Sequence, residues 1–146
     1  SDLYYSVENN TLGEAALISI DEMGEENMPG IFLSEPKRKG NSRRYRKGFN
    51  TTHSTKLASC AKLKRWVEEE TMKIRSKNLM RELKTFVARG NSYAAKDGET
   101  DDLVMATILA VRMAMQVAKY DADVFDDLKD SFDDSELRRP MPVGIL

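Results

Sequence analysis

The stretch from Leu103 to Val117 constrains this chain more than any other. Leu103, Val104, Met105, Ile108, Leu109, Val111, Met113, Met115 and Val117 would ring nearly the whole circumference of a helix with apolar side chains. A helix of that kind has to be covered on most sides, so the rest of the chain must supply layers around it. The run is broken by Thr107, Arg112 and Gln116, and reads as too short and too polar to span a bilayer. Asp97-Gly98-Glu99-Thr100-Asp101-Asp102 leads into it, with Thr100 the expected cap and the helix expected to reach about Tyr120.

Upstream, short extended segments alternate with helical periodicity. Leu3-Tyr4-Tyr5-Ser6-Val7 suits a pleated strand and ends at Glu8-Asn9-Asn10. Thr11-Leu12-Gly13-Glu14 has the form of a capping box, followed at helical spacing by Leu12, Ala15, Ala16, Ile20 and Met23. Gly24 to Gly30, with Pro29, makes a turn, and Ile31-Phe32-Leu33 a second strand. A helix is predicted from near Ser54, turning Leu57, Cys60, Leu63, Trp66 and Val67 inward. Met72 to Ile74 is a third strand candidate. Another helix from Ser76 would bury Leu79, Met80, Leu83, Phe86 and Val87, and Tyr93-Ala94-Ala95 reads as a short extended piece.

This alternation predicts an α/β fold, a sheet layered with helices. Three or four short strands make a thin sheet, so part of it is expected upstream of Ser1, the chain being a piece of something longer. At 16.6 kDa there is material for one core. The expected division is a domain over residues 1–120 and an acidic helix or tail over 121–146, where eight residues between Asp121 and Glu136 are acidic and only Lys129 is basic.

A net charge of −1 conceals a strong segregation. Lys37 to Arg89 holds 17 Lys and Arg against 4 Asp and Glu, whereas residues 1–36 hold 8 acids and no base. A basic middle between acidic ends suits a chain that binds a polyanion and keeps a separate acidic site; a solvated helical surface shows the same pattern. The candidate phosphate contacts are Lys37, Arg38, Lys39, Arg43, Arg44, Arg46 and Lys47, which would act by sequence-independent counterion release. One cysteine, Cys60, and one histidine, His53, exclude an internal disulfide and a Cys/His zinc site. A reducing, intracellular setting is expected.

Two places offer chemistry. Glu8 stands where a strand ends, the position at which open α/β sheets carry ligands and catalytic groups; a surface residue leaving a strand is the plain alternative. Asp101 and Asp102 head the most apolar helix. One acid satisfies a helix dipole, whereas two adjacent acids repel and invite a cation. Were Glu8 and Asp102 to converge, each would raise the other's pKa unless a cation neutralised them. Mg²⁺ or Mn²⁺ does this with one or two carboxylates plus water and phosphate oxygens. Two such ions roughly 3.5–4 Å apart serve phosphodiester hydrolysis. The sequence holds no Ser/His/Asp arrangement and no Gly-rich phosphate loop.

In order along the chain stand Tyr5-Ser6-Val7-Glu8-Asn9-Asn10-Thr11, Arg46-Lys47-Gly48 with Thr51, Thr52 and Thr55, Arg81-Glu82-Leu83-Lys84-Thr85-Phe86, and Asp97-Gly98-Glu99-Thr100-Asp101-Asp102-Leu103-Val104-Met105-Ala106. Together these closely resemble the C-terminal nuclease domain of the large terminase subunit, the genome-packaging motor of tailed bacteriophages, over most of residues 3–118. The Asp-Asp-Leu-Val-Met-Ala run after a glycine is the most specific of them. The resemblance implies an RNase H-like mixed sheet flanked by helices that cuts concatemeric double-stranded DNA with two divalent ions and a triad of acids. Glu8 matches the second acid and Asp102 the third, with Asp101 a neighbouring metal ligand. The first acid has no counterpart, because Asp2 lies on the same strand as Glu8. By the same resemblance the partners would be double-stranded DNA, the terminase ATPase domain, the small terminase subunit and the capsid portal, with no membrane, in the cytoplasm of an infected bacterium. Two alternatives stand beside it: a non-catalytic DNA-binding or portal-docking module, and a nuclease like the Holliday-junction resolvases.

Overall fold

The computed structural model of the chain describes residues 3–36 and 47–132, with side chains to Asp121. The order of elements is β1 (Tyr4–Tyr5), α1 (Thr11–Met23), a 3-10 turn (Glu25–Asn27), β2 (Ile31–Phe32), α2 (His53–Glu68), α3 (Lys77–Thr85), β3 (Phe86–Arg89), β4 (Ser92–Ala95) and α4 (Asp102–Phe132). The fold is mixed α/β. Among the described residues four strands form two separate two-stranded sheets: β1 pairs parallel with β2, Tyr4 opposite Ile31 and Tyr5 opposite Phe32, and β3 pairs antiparallel with β4, Phe86 opposite Ala95. The layered sheet expected from the sequence is present among the described residues only as these two pieces. By contacts the chain divides into two compact units, Ser1–Met113 and Ala114–Leu146. The first carries both sheets, three helices and the opening turns of α4; the second carries the remainder of that helix, on which Met115 and Tyr120 are exposed.

Local chemistry explains where the helices begin. Asn10, not Thr11, is the N-cap of α1, its Oδ1 accepting from the Gly13 amide at 2.9 Å, as a short polar side chain in extended backbone does well. α2 starts at His53, next to the expected Ser54, and is capped by Thr52 in a reciprocal box with Thr55. Ser76 caps α3, accepting from Leu79. The helical pattern Leu79, Leu83, Phe86 predicted a longer α3, but the chain turns extended at Phe86. A two-residue turn at Gly90-Asn91 folds Phe86–Arg89 back on Ser92–Ala95, and Gly90 takes φ 58, the left-handed region that a Gly-first hairpin turn demands. Stacking of Phe86 on Tyr93, centroids 6.0 Å apart, adds cross-strand support. The strand predicted at Met72 to Ile74 does not form. Met72 instead closes the turn after α2 by donating its amide to Trp66 O, and its side chain joins the core.

The core is built where the long apolar run predicted it. Leu63 of α2 meets Val104, Ile108 and Val111 of α4, with Cys60, Trp66, Leu79, Leu83, Phe86 and Met105 around them. Val104, Ile108 and Val111 are buried, while Leu103 and Met115 remain open to solvent, so α4 is covered along one face and not all round. Contrary to the reading from sequence, Asp102–Asp121 is long and apolar enough to cross a membrane by length and composition alone, with mean hydropathy 1.3; a core helix meets the same test. On α1 the buried face is Gly13, Leu17 and Ile20, spaced i, i+4, i+7. Leu12 and Met23, expected inward, point out, Leu12 being 84% exposed. The close approach at Gly13 decides this rotation of the helix.

Candidate functional site

Glu8 is held by its backbone. β1 leads through Ser6, whose Oγ donates to Leu33 O at 2.6 Å, into a short parallel bridge between Glu8 and Phe49. Phe49 N donates to Val7 O at 3.0 Å and Asn9 N to Phe49 O at 2.7 Å. The Glu8 carbonyl accepts from Asn10 N at 2.9 Å and lies under the first turn of α1, so close that a Cβ on Gly13 would fall 1.7 Å from it. The side chain meets one donor, Asn10 Nδ2, at 3.1 Å from Oε2. No cation among the described residues pairs with it.

Asp101 and Asp102 occupy the head of α4. The Asp101 carbonyl accepts the first helical bond, from Met105 N at 2.8 Å, which makes Asp101 the residue whose side chain would ordinarily cap the helix. It does not do so. Glu82, reaching across from α3, accepts from Leu103 N at 2.8 Å and Val104 N at 3.2 Å through Oε2, and from Thr100 Oγ1 at 3.1 Å through Oε1. Neither Asp carboxylate takes part in a hydrogen bond or ion pair among the described residues. An open cleft of about 340 Å³ between α3 and the approach to α4 is lined by Asn78, Arg81, Glu82, Glu99, Thr100 and Leu103, and by neither Asp.

The two halves are tied through Arg112. Its guanidinium lies 4.9 Å above the Phe49 ring, donates to Asn50 O at 3.1 Å and pairs with Glu35 at 3.3 Å. Phe49 is the bridge partner of Glu8, so the strand that carries Glu8 is fastened to α4. The point of attachment lies about 15 Å of helix rise along from Asp102. No group of three or more His, Cys, Asp or Glu side chains gathers in metal-holding geometry among the described residues. The donor chemistry nonetheless fits a hard cation. Asp101 and Asp102 offer carboxylate oxygens unspent on the fold, and Mg²⁺ is commonly held by one or two carboxylates with water completing its shell.

Of the seven basic residues expected to meet DNA, Lys37, Arg38, Lys39, Arg43, Arg44 and Arg46 lie outside the described residues. The segment that holds them is rooted beside Glu8: Glu35 N donates to Gly48 O at 3.0 Å, and Asn9 Nδ2 donates to Lys47 O at 3.0 Å. Lys47 itself differs from the expectation. Its ammonium sits between Asp21 at 2.6 Å and Glu25 at 2.9 Å, and those two hydrogen bonds push its pKa above the ordinary lysine range. It staples the segment's root to α1 and the following turn, so a phosphate reaching it would compete with two carboxylates. His53 is exposed at the first position of α2. Cys60 packs against the core, where burial raises its thiol pKa. Glu82 and Arg112 were not singled out from the sequence, because both act on partners distant along the chain. No family model matches the chain.

Proposed function

We propose that these residues belong to the metal-dependent nuclease domain of a phage-type large terminase, which cuts concatemeric double-stranded DNA during genome packaging. The observation that carries this reading is the idle state of Asp101 and Asp102. Helix capping is the ordinary reason for acids at a helix start, and here Glu82 does that work. That leaves both carboxylates without a hydrogen bond or ion pair among the described residues, free to meet a cation. The motifs that resemble the terminase nuclease add the chemical identity, and the RNase H-like arrangement of the sheet is part of the same proposal.

The resemblance assigns the metal to Glu8 and Asp102, with Asp101 as a further ligand or orienting neighbour, but these three acids do not gather in metal-holding geometry among the described residues. A pair of Mg²⁺ or Mn²⁺ ions would supply an activated water and neutralise charge at the leaving 3′ oxygen. The basic segment rooted at Glu35 and Gly48 brings the duplex backbone toward Glu8 without reading its sequence. By resemblance the partners are the ATPase domain, the small subunit and the portal, in the cytoplasm of the infected bacterium.

The test is cleavage of plasmid DNA by the full-length protein with Mg²⁺ or Mn²⁺. Glu8→Ala and Asp102→Ala should each abolish nicking while DNA retention in a gel-shift assay stays near the parental level. Nicking at the parental rate by either variant removes that residue from the site.

A further inference from the structure

We propose that the outer face of α3 is a contact surface for the phosphate backbone of double-stranded DNA, formed by Lys77, Arg81 and Lys84 with Lys73 and Arg75 leading into it. The inference goes beyond the nuclease reading: it shares the ligand and depends on neither cutting nor a metal. Residues 73–85 carry five bases and one acid, Glu82. Positions four and three apart share one face of a helix, so Lys77, Arg81 and Lys84 stand in a row while Leu79 and Leu83 turn to the core. All three are exposed. Ahead of the helix the chain alternates, with Met72 and Ile74 half-buried and Lys73 and Arg75 exposed, which adds two outward bases just before the cap at Ser76.

None of these five pairs with a carboxylate or lies over a ring among the described residues. The bases of α2 are used differently: Lys64 pairs with Glu68 and Arg65 with Glu69, and the ammonium of Lys62 lies 5.4 Å over Trp66. The acid within the stretch is spent too, since Glu82 holds the amides of Leu103 and Val104 and the hydroxyl of Thr100. Arg81 lines the open cleft together with Glu82 and Glu99 and forms an ion pair with neither. Nor does the row serve its own helix. Like charges four apart weaken a helix, and Lys77 occupies the first turn, where the dipole favours an anion. A phosphate backbone would relieve both. From Lys77 to Lys84 the helix rises about 10.5 Å, about three phosphate steps along one strand of a duplex. Residues 73–85 contain no aromatic side chain on which the nucleobases of a single strand would stack, so the row suits a duplex.

The test is fluorescence anisotropy of a labelled DNA duplex with the full-length protein, in chelator and over a series of KCl concentrations. Lys77→Gln, Arg81→Gln and Lys84→Gln are combined in one variant, glutamine being about as good a helix former as the residues it replaces. The slope of log K against log salt should become shallower by about 2–3, since each phosphate contact contributes about 0.9. The loss of affinity should be the same for duplexes of unrelated sequence. Lys62→Gln, Lys64→Gln and Arg65→Gln combined are the control: they remove the same charge from α2 and should leave the slope near the parental value. Arg81→Gln alone should lower the slope by about 1, and it decides the matter if the triple variant does not fold. An unchanged slope in the α3 variants, or an equal change in the α2 control, overturns the proposal. Poly-glutamate that displaces the duplex as well as unlabelled DNA does at equal charge assigns the row to an acidic protein and overturns it too. A parental protein that binds the duplex but cuts no plasmid with Mg²⁺ or Mn²⁺ sinks the nuclease reading alone, and the salt slopes still decide the role of α3. A parental protein that binds no duplex sinks both.

Discussion

Gly13→Ala should destabilise this protein, although glycine to alanine within a helix ordinarily does the opposite. Alanine is favoured over glycine by up to about 1 kcal/mol inside a helix. Here the added methyl would lie 1.7 Å from Glu8 O, 2.9 Å from the Glu8 carbonyl carbon and 3.1 Å from Val7 Cγ1. Ordinary contact begins near 3.4 Å, so either the first turn of α1 or the Glu8 peptide has to shift by about 1.7 Å. Neither is a flexible side-chain end. Overpacking of this kind costs roughly 1–3 kcal/mol. The shift also strains the Asn10 cap on Gly13, worth about 1 kcal/mol, and the Asn9–Phe49 backbone bond, worth about another. Set against the helix preference, the net loss is about 2–4 kcal/mol.

Urea unfolding measures it, as a lowered midpoint with an unchanged m-value. Leu12→Ala is the matched control one residue away. Leu12 is 84% exposed, so its loss should change stability by no more than about 0.5 kcal/mol. On the proposed nuclease reading, because the displaced atom is the Glu8 carbonyl, Gly13→Ala should also reduce DNA cleavage with every carboxylate still present. A Gly13→Ala protein as stable as the parent would show that α1 does not press on the Glu8 strand as described, and would remove the backbone argument for a fixed Glu8.

Two further outcomes follow from the ion pairs. Arg112→Met should cost about 1–3 kcal/mol in the same urea assay, below the 3–5 typical of fully buried pairs because Glu35 is one-third exposed; Arg112→Lys should recover little of it, since a lysine lacks the planar fork that reaches Asn50 O and Glu35 while lying over Phe49, and full recovery would refute that geometry. Lys47→Met should cost no more than about 1 kcal/mol, as exposed pairs do, and on the proposed DNA-binding reading should leave affinity for DNA nearly unchanged. With the folded pKa of Lys47 raised, its contribution is complete below the ordinary lysine pKa and fades only as pH rises through the folded value, so the stability gap between parent and variant should be constant from pH 7 to about pH 10; a gap that shrinks within that window contradicts the two-carboxylate clamp.

Elements whose cause is local were legible in the sequence, and those whose cause is distant were not. The strand at Tyr4–Tyr5, the helix beginning at Ser76 and the apolar run of α4 announce themselves within a few residues. The end of α3 did not, because Phe86 continues the spacing of Leu79 and Leu83 and so satisfies a helical pattern as well as a strand. What decides is the turn at Gly90-Asn91, which offers Phe86 and Val87 a partner strand in Ala94 and Ala95. The face of α1 was misread for a similar reason. Leu12 and Met23 fit a helical stripe, but the contact that orients the helix is made by a residue with no side chain, Gly13, against a carbonyl outside the helix. Glu82 stands among bases on α3, and nothing in its neighbourhood points to amides some twenty residues later.

Charge was the feature most open to overreading. A local excess of bases invites the idea of a polyanion site, but the structure spends several of them. Lys47 is held by Asp21 and Glu25, Lys64 by Glu68, Arg65 by Glu69 and Arg89 by Asp97. Those cations serve the fold first, and each is shared with a carboxylate that a phosphate would have to displace. On the proposed DNA-binding reading these four are weaker candidates for phosphate contact than the bases of the middle stretch, such as Lys73, Lys77 and Arg81, that pair with no carboxylate among the described residues. The bond that closes the segment between Glu35 and Lys47, Glu35 to Gly48, stands next to the Phe49 bridge, so the same ladder that fixes Glu8 also fixes where that segment leaves and rejoins the fold. Among the described residues Glu8 pairs with no cation, and it stands at the root of the most basic segment of the sequence. A polyanion arriving with its own divalent cations would meet both features at once.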